Sequence, residues 1–267
     1  MFWIIAAISF IGTILFGAHI FVYRLWIRIF LFLSRRSWRI ITKSGLWILG
    51  AGFLASSFLV ARYDNLLTRL WYMASSIWLG FLLYFFLAAL LAWAVSFLYR
   101  HSGRYASDSW RRVSRGLMAA ALAVSLHGLY QAQDIKVTEY SVSLPNLPDS
   151  WRGRRAVFYA DVHLGQIYGS GFSSRLAQKV RELNPDIIFD GGDLFDGVAV
   201  EETKVTSPLA SLRPPLGYYF VTGNHEEYGD SAAFAAAIRE AGITILDNEK
   251  QVVDGVQVIG VDYARSE

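Results

Sequence analysis

The chain has 267 residues, enough for one or two domains, and its net charge of +3 hides two opposite halves. Residues 1–132 carry 13 Lys/Arg against 2 Asp/Glu (Asp64 and Asp108), whereas residues 133–267 carry 12 against 20. The basic balance therefore belongs to the apolar half and is no argument for a nucleic-acid partner, and the absence of cysteine excludes disulfides and thiolate metal sites.

A membrane-spanning helix needs about 20 mostly apolar residues. Phe2–Val22 meets this with only small polar residues and His19 inside it. No basic residue precedes it, no small-x-small cleavage site follows, and further apolar runs come after, so it reads as a retained anchor rather than a signal peptide. Gly45–Ala61 is the weakest run, at 17 residues, and Leu70–Tyr99 is the longest, with 30 residues and no charge. Leu117–Tyr130 is short and Ala-rich, and reaches spanning length only if Val113 to Ala132 is counted. The expectation is four spans and a polytopic membrane domain over residues 1–132.

The connections differ in charge. Arg24, Arg28, Arg35, Arg36, Arg39 and Lys43 follow the first run, and Arg100, Arg104, Arg111, Arg112 and Arg115 follow the third. Only Arg62 and Arg69 lie between the second and third. Positive charge is retained on the cytoplasmic side. With four spans, the N-terminus and everything after Tyr130 fall outside, an assignment that depends on Gly45–Ala61 crossing. The expected location is a cell membrane, with the second half extracytoplasmic. Arg24–Lys43 mixes aromatics with arginines, and reads equally as an amphipathic segment on anionic lipid or as an ordinary basic loop. His19 and His127 are expected to be packed side chains.

From Asp134 the pattern becomes strands and helices. "IKVTEYSVSL" alternates apolar and polar residues, predicting a half-exposed strand, and "PNLPDS" is a turn. "RRAVFYA", "PDIIFDGG" and Leu216–Val221 predict strands, as do "ITILD" and "VQVIGVD". "SGFSSRLAQKVRELN" predicts a helix capped by Ser173 or Ser174, and "DSAAFAAAIREAG" a second one closed by Gly242. The alternation predicts an α/β domain over residues 133–267.

Ligands in such domains gather at the carboxyl ends of strands. Three predicted strands end in polar clusters: Asp161 and His163; Asp190, Asp193 and Asp196; Asn224 and His225. Any one could be a turn, but three at strand ends form a mixed nitrogen and oxygen ligand set without sulfur. That set suits Mn, Fe, Zn or Mg. Neighbouring carboxylates repel unless cations or protons neutralise them, and two metals about 3.5–4 Å apart would do so while activating water against a phosphate ester. Asp190 is expected at a strand end, facing solvent.

These motifs, "DVH" (Asp161, His163), "GDLFD" (Gly192, Asp193, Asp196) and "GNHE" (Gly223 to Glu226), resemble in order and spacing those of the calcineurin-like metallophosphoesterases. "YSVSLPNLPDSWRGRRAVFYADVHLG" is similar to the segment leading into the domain in the membrane-associated bacterial subgroup of the YkuE and YaeI type. The resemblance covers about residues 134–262. It implies an α/β sandwich behind the helical membrane domain, two divalent metal ions, and hydrolysis of a phosphomonoester or phosphodiester, with a lipid or cell-envelope phosphoester suggested by location alone. It implies Asp161 and His163 as ligands of one metal, Asp193 as the bridge, Asn224 as a ligand of the other, and His225 as the group that stabilises or protonates the leaving group. Asp196 and Glu226 match the motifs without having to touch metal, and Asp196 is expected behind the ligands or in the turn.

The family adds downstream histidines, one alone and two in Gly-His-x-His, and a second sheet. No histidine follows His225. The expectation is a domain incomplete at its C-terminus, a fragment of a longer enzyme with weak or no turnover by itself. The alternatives are a degenerate, non-catalytic scaffold or metal-binding protein, and a partner chain that supplies the missing ligands. The spans hold almost no ionisable residues, which speaks against ion transport.

Overall fold

The computed structural model describes residues 2–63, 65–101, 107–196 and 200–263. The chain divides into two compact units, Met1–Asp134 and Ile135–Glu267. The first holds α1 (Phe2–Ile29), a 3-10 turn (Leu31–Ser34), α2 (Arg36–Arg62), α3 (Leu66–His101) and α4 (Ser107–Gln131). No proline occurs before Pro145, so no ring interrupts the hydrogen-bond ladder of these long helices. Val22, Ile29, Leu82, Ala89 and Ala92 are buried between them. Small residues let the backbones approach: a Cβ at Gly50 would meet the His19 ring at 2.9 Å, and one at Gly52 would meet Ser75 Oγ at 2.6 Å.

Some polar side chains inside this unit find partners close by, whereas Ser75 Oγ and Ser114 Oγ are buried with none among the described residues. His19 Nδ1–H donates to the Leu15 carbonyl (2.7 Å) and His19 Nε2 accepts from the Trp78 indole (2.9 Å). The ring is thus a packed, satisfied group, as expected. His127, in contrast, is exposed on α4.

Three helices among the described residues, not four, are long and apolar enough to cross a membrane: Phe10–Ile29, Arg36–Arg62 and Leu66–His101. The fourth expected run does form a helix, α4. It falls short because arginines occupy its first turns and Ser, His, Gly, Tyr and Gln dilute the Leu and Ala of its later residues. The basic segment Arg24–Lys43 is no continuous surface helix. Its first residues complete α1, a tight turn follows, and the remainder opens α2. Arg104 lies outside the described residues.

The second unit has β1 (Ala156–Tyr159), α5 (Ser170–Glu182), β2 (Ile187–Asp190), α6 (Glu202–Thr206), β3 (Tyr218–Phe220), α7 (Asn224–Tyr228), α8 (Ser231–Glu240), β4 (Thr244–Ile245), β5 (Lys250–Val253) and β6 (Val256–Ile259). Strands β1 to β4 form one parallel sheet in that order, and β5–β6 is a separate antiparallel pair. Alternation along the strands sends Ile188, Tyr218 and Phe220 into a core with Leu176, Val180, Phe234 and Ile238 of the helices. Ile187 and Tyr219 point the other way and meet Leu246 and Val253. That second face is only partly covered, leaving a groove of about 1260 Å³ beside Phe158, Phe189 and Tyr219.

Three local expectations are corrected. Residues 135–144 form no strand among the described residues. Their alternation is real, but no neighbouring strand pairs with them, and Tyr140 and Val142 stay 84% and 72% exposed. Helix α5 starts earlier than its serines suggested, with Gly169 rather than Ser173 or Ser174 at its cap, and Ser173 is buried inside it. Strand β5 was unforeseen, since "KQVV" is too short to show a period. Helix α8 starts as anticipated, with the Asp230 carboxylate accepting from Ala233 N–H (3.0 Å).

Candidate metal centre

Tyr159, Asp190 and Phe220 are register partners across β1, β2 and β3, so the three strands end level. The polar clusters follow within a few residues, at the same sheet edge. Their backbone is unusual. Asp161, His163 and Asp193 have φ of 55°, 51° and 51°, in the left-handed region that Asp, Asn and His tolerate better than other side chains. Three such residues at one edge represent strain held by the surroundings, a feature concentrated at functional sites.

The surroundings are hydrogen bonds between loops. The loop after β1 donates Asp161 N–H to the Gly192 carbonyl (3.0 Å), His163 N–H to Asp193 (3.0 Å) and Leu164 N–H to Leu194 (2.7 Å). Glu226, only 2% exposed, joins the loops after β2 and β3. Its carboxylate accepts from Gly223 N–H (2.8 Å), Asp193 N–H (2.9 Å) and Phe195 N–H (3.1 Å). His225 N–H adds a bond to Asp193 Oδ1 (2.9 Å). The loops touch so closely that glycine is required: a Cβ at Gly192 would lie 2.7 Å from Gly223 N, and one at Gly223 would collide with the Asp193 carboxylate.

This frame presents two triads. Asp161, His163 and Asp193 offer ligand atoms all within 4.8 Å of one another, and so do His163, Asp196 and His225. His163 belongs to both, and its ring lies 4.4 Å from that of His225, edge to face. His225 Nδ1 lies 3.1 Å from the Asp196 carbonyl, which accepts only from an Nδ1–H. In the neutral ring Nε2 then carries the lone pair. Burial pushes the Asp196 carboxyl up, and the neighbouring His163 and His225 pull it back down.

The structure gathers Asp161, His163, Asp193, Asp196 and His225 at one place. Asn224 opens α7 there, between Gly223 and His225. Asp196 has its carboxylate close to the imidazoles of His163 and His225. Asp190 is a correction: it is 2% exposed rather than solvent-facing. Its side chain alternates inward with Ile188 and accepts from Gly192 N–H (3.3 Å), while Oδ2 is buried without a hydrogen-bond partner among the described residues. Burial first, and the nearby Glu226 and Asp161 after it, raise its carboxyl well above the usual range. The Glu226 clamp was hidden in sequence, because a Glu inside "GNHE" does not reveal that it binds three backbone N–H groups.

Carboxylates and imidazoles packed this closely, on a strained and cross-braced backbone, suit hard or borderline divalent cations. The residues present fit such an ion.

Residues 154–260 match the calcineurin-like phosphoesterases. A protein of Danio rerio described as a transmembrane protein with metallophosphoesterase domain is 30% identical over 240 residues, covering 85% of this chain and 55% of its own length. Its counterpart in Bos taurus is 30% identical, over 79% of this chain and 49% of its own. A match of 240 residues exceeds the α/β unit and reaches into the helical one, further than the motifs alone extend. UDP-2,3-diacylglucosamine pyrophosphatase LpxG of Chlamydia muridarum is 33% identical over 93 residues, 34% of this chain and 28% of its own length. The chain spans about half the length of the first two relatives. No solved structure matches it significantly.

Proposed function

We propose that this chain, whose α/β unit is a calcineurin-like phosphoesterase domain joined to candidate membrane helices, takes part in metal-assisted hydrolysis of a phosphoester at a membrane surface. The observation that carries the reading is the pair of triads sharing His163 at the level ends of three parallel strands. Asp161, His163 and Asp193 would hold one divalent ion. Asp193 and Asn224 are the side chains proposed for a second, with Asp196 beside His163 and His225 in the other triad. When bound, such ions neutralise phosphoryl charge and lower the pKa of water.

The chain's own residues supply the rest. Glu226 fixes the loops that carry Asp193 and His225, so the ligand atoms are preorganised. His225, oriented through Nδ1, has Nε2 to stabilise the leaving-group oxygen or protonate it. The printed name of the Chlamydia relative describes a pyrophosphatase of an acylated sugar nucleotide. Together with the membrane helices, this favours a lipid-linked phosphoester or phosphoanhydride as the substrate class.

We place the domain on the outer face. Helix α4 packs along the bundle: Trp110 donates to the Ala92 carbonyl (3.0 Å), the Trp26 indole donates to Met118 Sδ (3.4 Å), and Ala121 and Ser125 are buried. Its outward residues include Leu122, Val124, Leu126 and Leu129, all exposed, and no charge occurs from Gly116 to Tyr130. An uncharged, outward-facing apolar surface suits lipid better than water, so the bundle carries α4 across despite its modest hydropathy. The chain has no cysteine, so single cysteines can be labelled without background. A cysteine at Lys250 should react with a membrane-impermeant maleimide in intact cells, and one at Arg39 only after lysis; the reverse pattern puts the domain inside.

The reaction is tested with bis(p-nitrophenyl) phosphate and Mn²⁺ on the full-length protein. His225→Ala should cost about 10²–10⁴-fold in rate, and Asp193→Asn should reduce it to background. Full activity in both variants would sink the assignment.

A further inference from the structure

A second, unrelated site lies at the other end of the charge map. A cavity of about 400 Å³ opens between the end of α1, the last turns of α3 and the start of α4. Arg28, Arg100 and Arg111 line it, one from each helix, with Ser96 beside them and Ile27 and Leu31 as an apolar wall. Three guanidiniums around one cavity repel each other unless an anion sits among them.

The helical unit can supply little of that anion. Residues 1–132 contain just two carboxylates. Asp108 pairs with Arg111 (3.0 Å). Arg28 has neither a hydrogen-bonding nor an ionic partner among the described residues. The cavity floor is firm, because Trp110, 7% exposed, is tied to the Ala92 carbonyl. Arginine is the cation best shaped for a phosphate, with a fork of donors.

We propose that this cavity binds the phosphate headgroup of an anionic phospholipid, with an acyl chain running along Ile27 and Leu31. The three helix ends share one membrane side whether or not α4 crosses, since the chain enters at the end of α1 and turns at the end of α3. The positive charge there makes it the inner leaflet, and basic pockets between membrane helices on that side take anionic headgroups. The proposal is independent of the phosphoesterase reading.

The test is native mass spectrometry of the full chain in mild detergent, titrated with phosphatidylglycerol, phosphatidylcholine or inorganic phosphate. Phosphatidylglycerol should be retained at about tenfold lower concentration than phosphatidylcholine, and inorganic phosphate should not displace it. Arg28→Gln and Arg111→Gln should each weaken it about fivefold, and Arg28→Lys should restore most of the loss. Arg39→Gln, on the same side but outside the cavity, should leave binding unchanged. Far-UV circular dichroism checks that the helices persist in each variant. Equal retention of both lipids overturns the proposal. So does a loss in Arg39→Gln as large as in Arg28→Gln, which means diffuse attraction, or full displacement by phosphate, which means a free-anion site.

Discussion

The helical and α/β units treat polar side chains in opposite ways. In the helical unit the polar rings are held singly by a nearby backbone or ring: His19 by Leu15 and Trp78, and Trp110 by Ala92. Among the described residues of that unit, the arginines Arg28, Arg100 and Arg111 gather at one rim. In the α/β unit, three strands deliver two histidines and three aspartates to one edge, on a backbone held in the left-handed region. The first arrangement stabilises a bundle in lipid, whereas the second spends backbone strain and charge repulsion on assembling donors. Only the second has the form of a reaction centre.

The comparison breaks most readily at Glu226. Removing its carboxylate leaves the buried N–H of Phe195 and the half-buried N–H groups of Asp193 and Gly223 without their acceptor, at about 1–3 kcal/mol for each group left unsatisfied. Glu226→Ala should therefore lower the thermal midpoint of the α/β unit by at least about 10 °C, with metal affinity falling in parallel. An unchanged midpoint would show that the loops hold each other without the clamp. In the helical unit the equivalent change is small. Trp110→Phe keeps the ring and loses one bond, an expected cost of about 0.5–1.5 kcal/mol, read as a shift in the detergent thermal midpoint. A loss as large as that of Glu226→Ala would erase the contrast between the two units.

Asp190 sharpens the comparison at its finest scale. Burial raises its carboxyl, so the native state keeps a proton that the unfolded chain releases. The associated stability is present at low pH and is lost as pH rises above the ordinary carboxylate range. Asp190→Asn cannot ionise, so relative to wild type it should gain stability between about pH 5 and pH 8. Thermal midpoints at the two pH values decide it, and equal slopes would mean that Asp190 is ionised in the fold.

Much of the site was legible because strands announce their ends. "VFYADVH", "IIFDGGD" and "YFVTGNH" each pass from apolar or β-branched residues to Asp, His or Asn, and a parallel sheet brings such ends together. Less legible was anything that depends on a partner distant in sequence. Residues 135–144 alternate like a strand and pair with no strand among the described residues, whereas "KQVV" pairs with β6 and shows no pattern. Asp190 and Asp193 look alike in sequence, yet the strand pleat buries one and the left-handed turn turns the other to the cluster. Helix α4 fails by composition as a span and joins the bundle by packing, which hydropathy does not register.

The central claim is that the strand ends hold divalent metal, and the most direct measurement is the Mn²⁺ content of the purified full chain after dialysis, by inductively coupled plasma mass spectrometry. The account predicts bound Mn²⁺ in the native protein and its loss in Asp193→Asn, with the fold intact by circular dichroism. Bound metal that survives Asp193→Asn, or a native chain that takes up none, would contradict it.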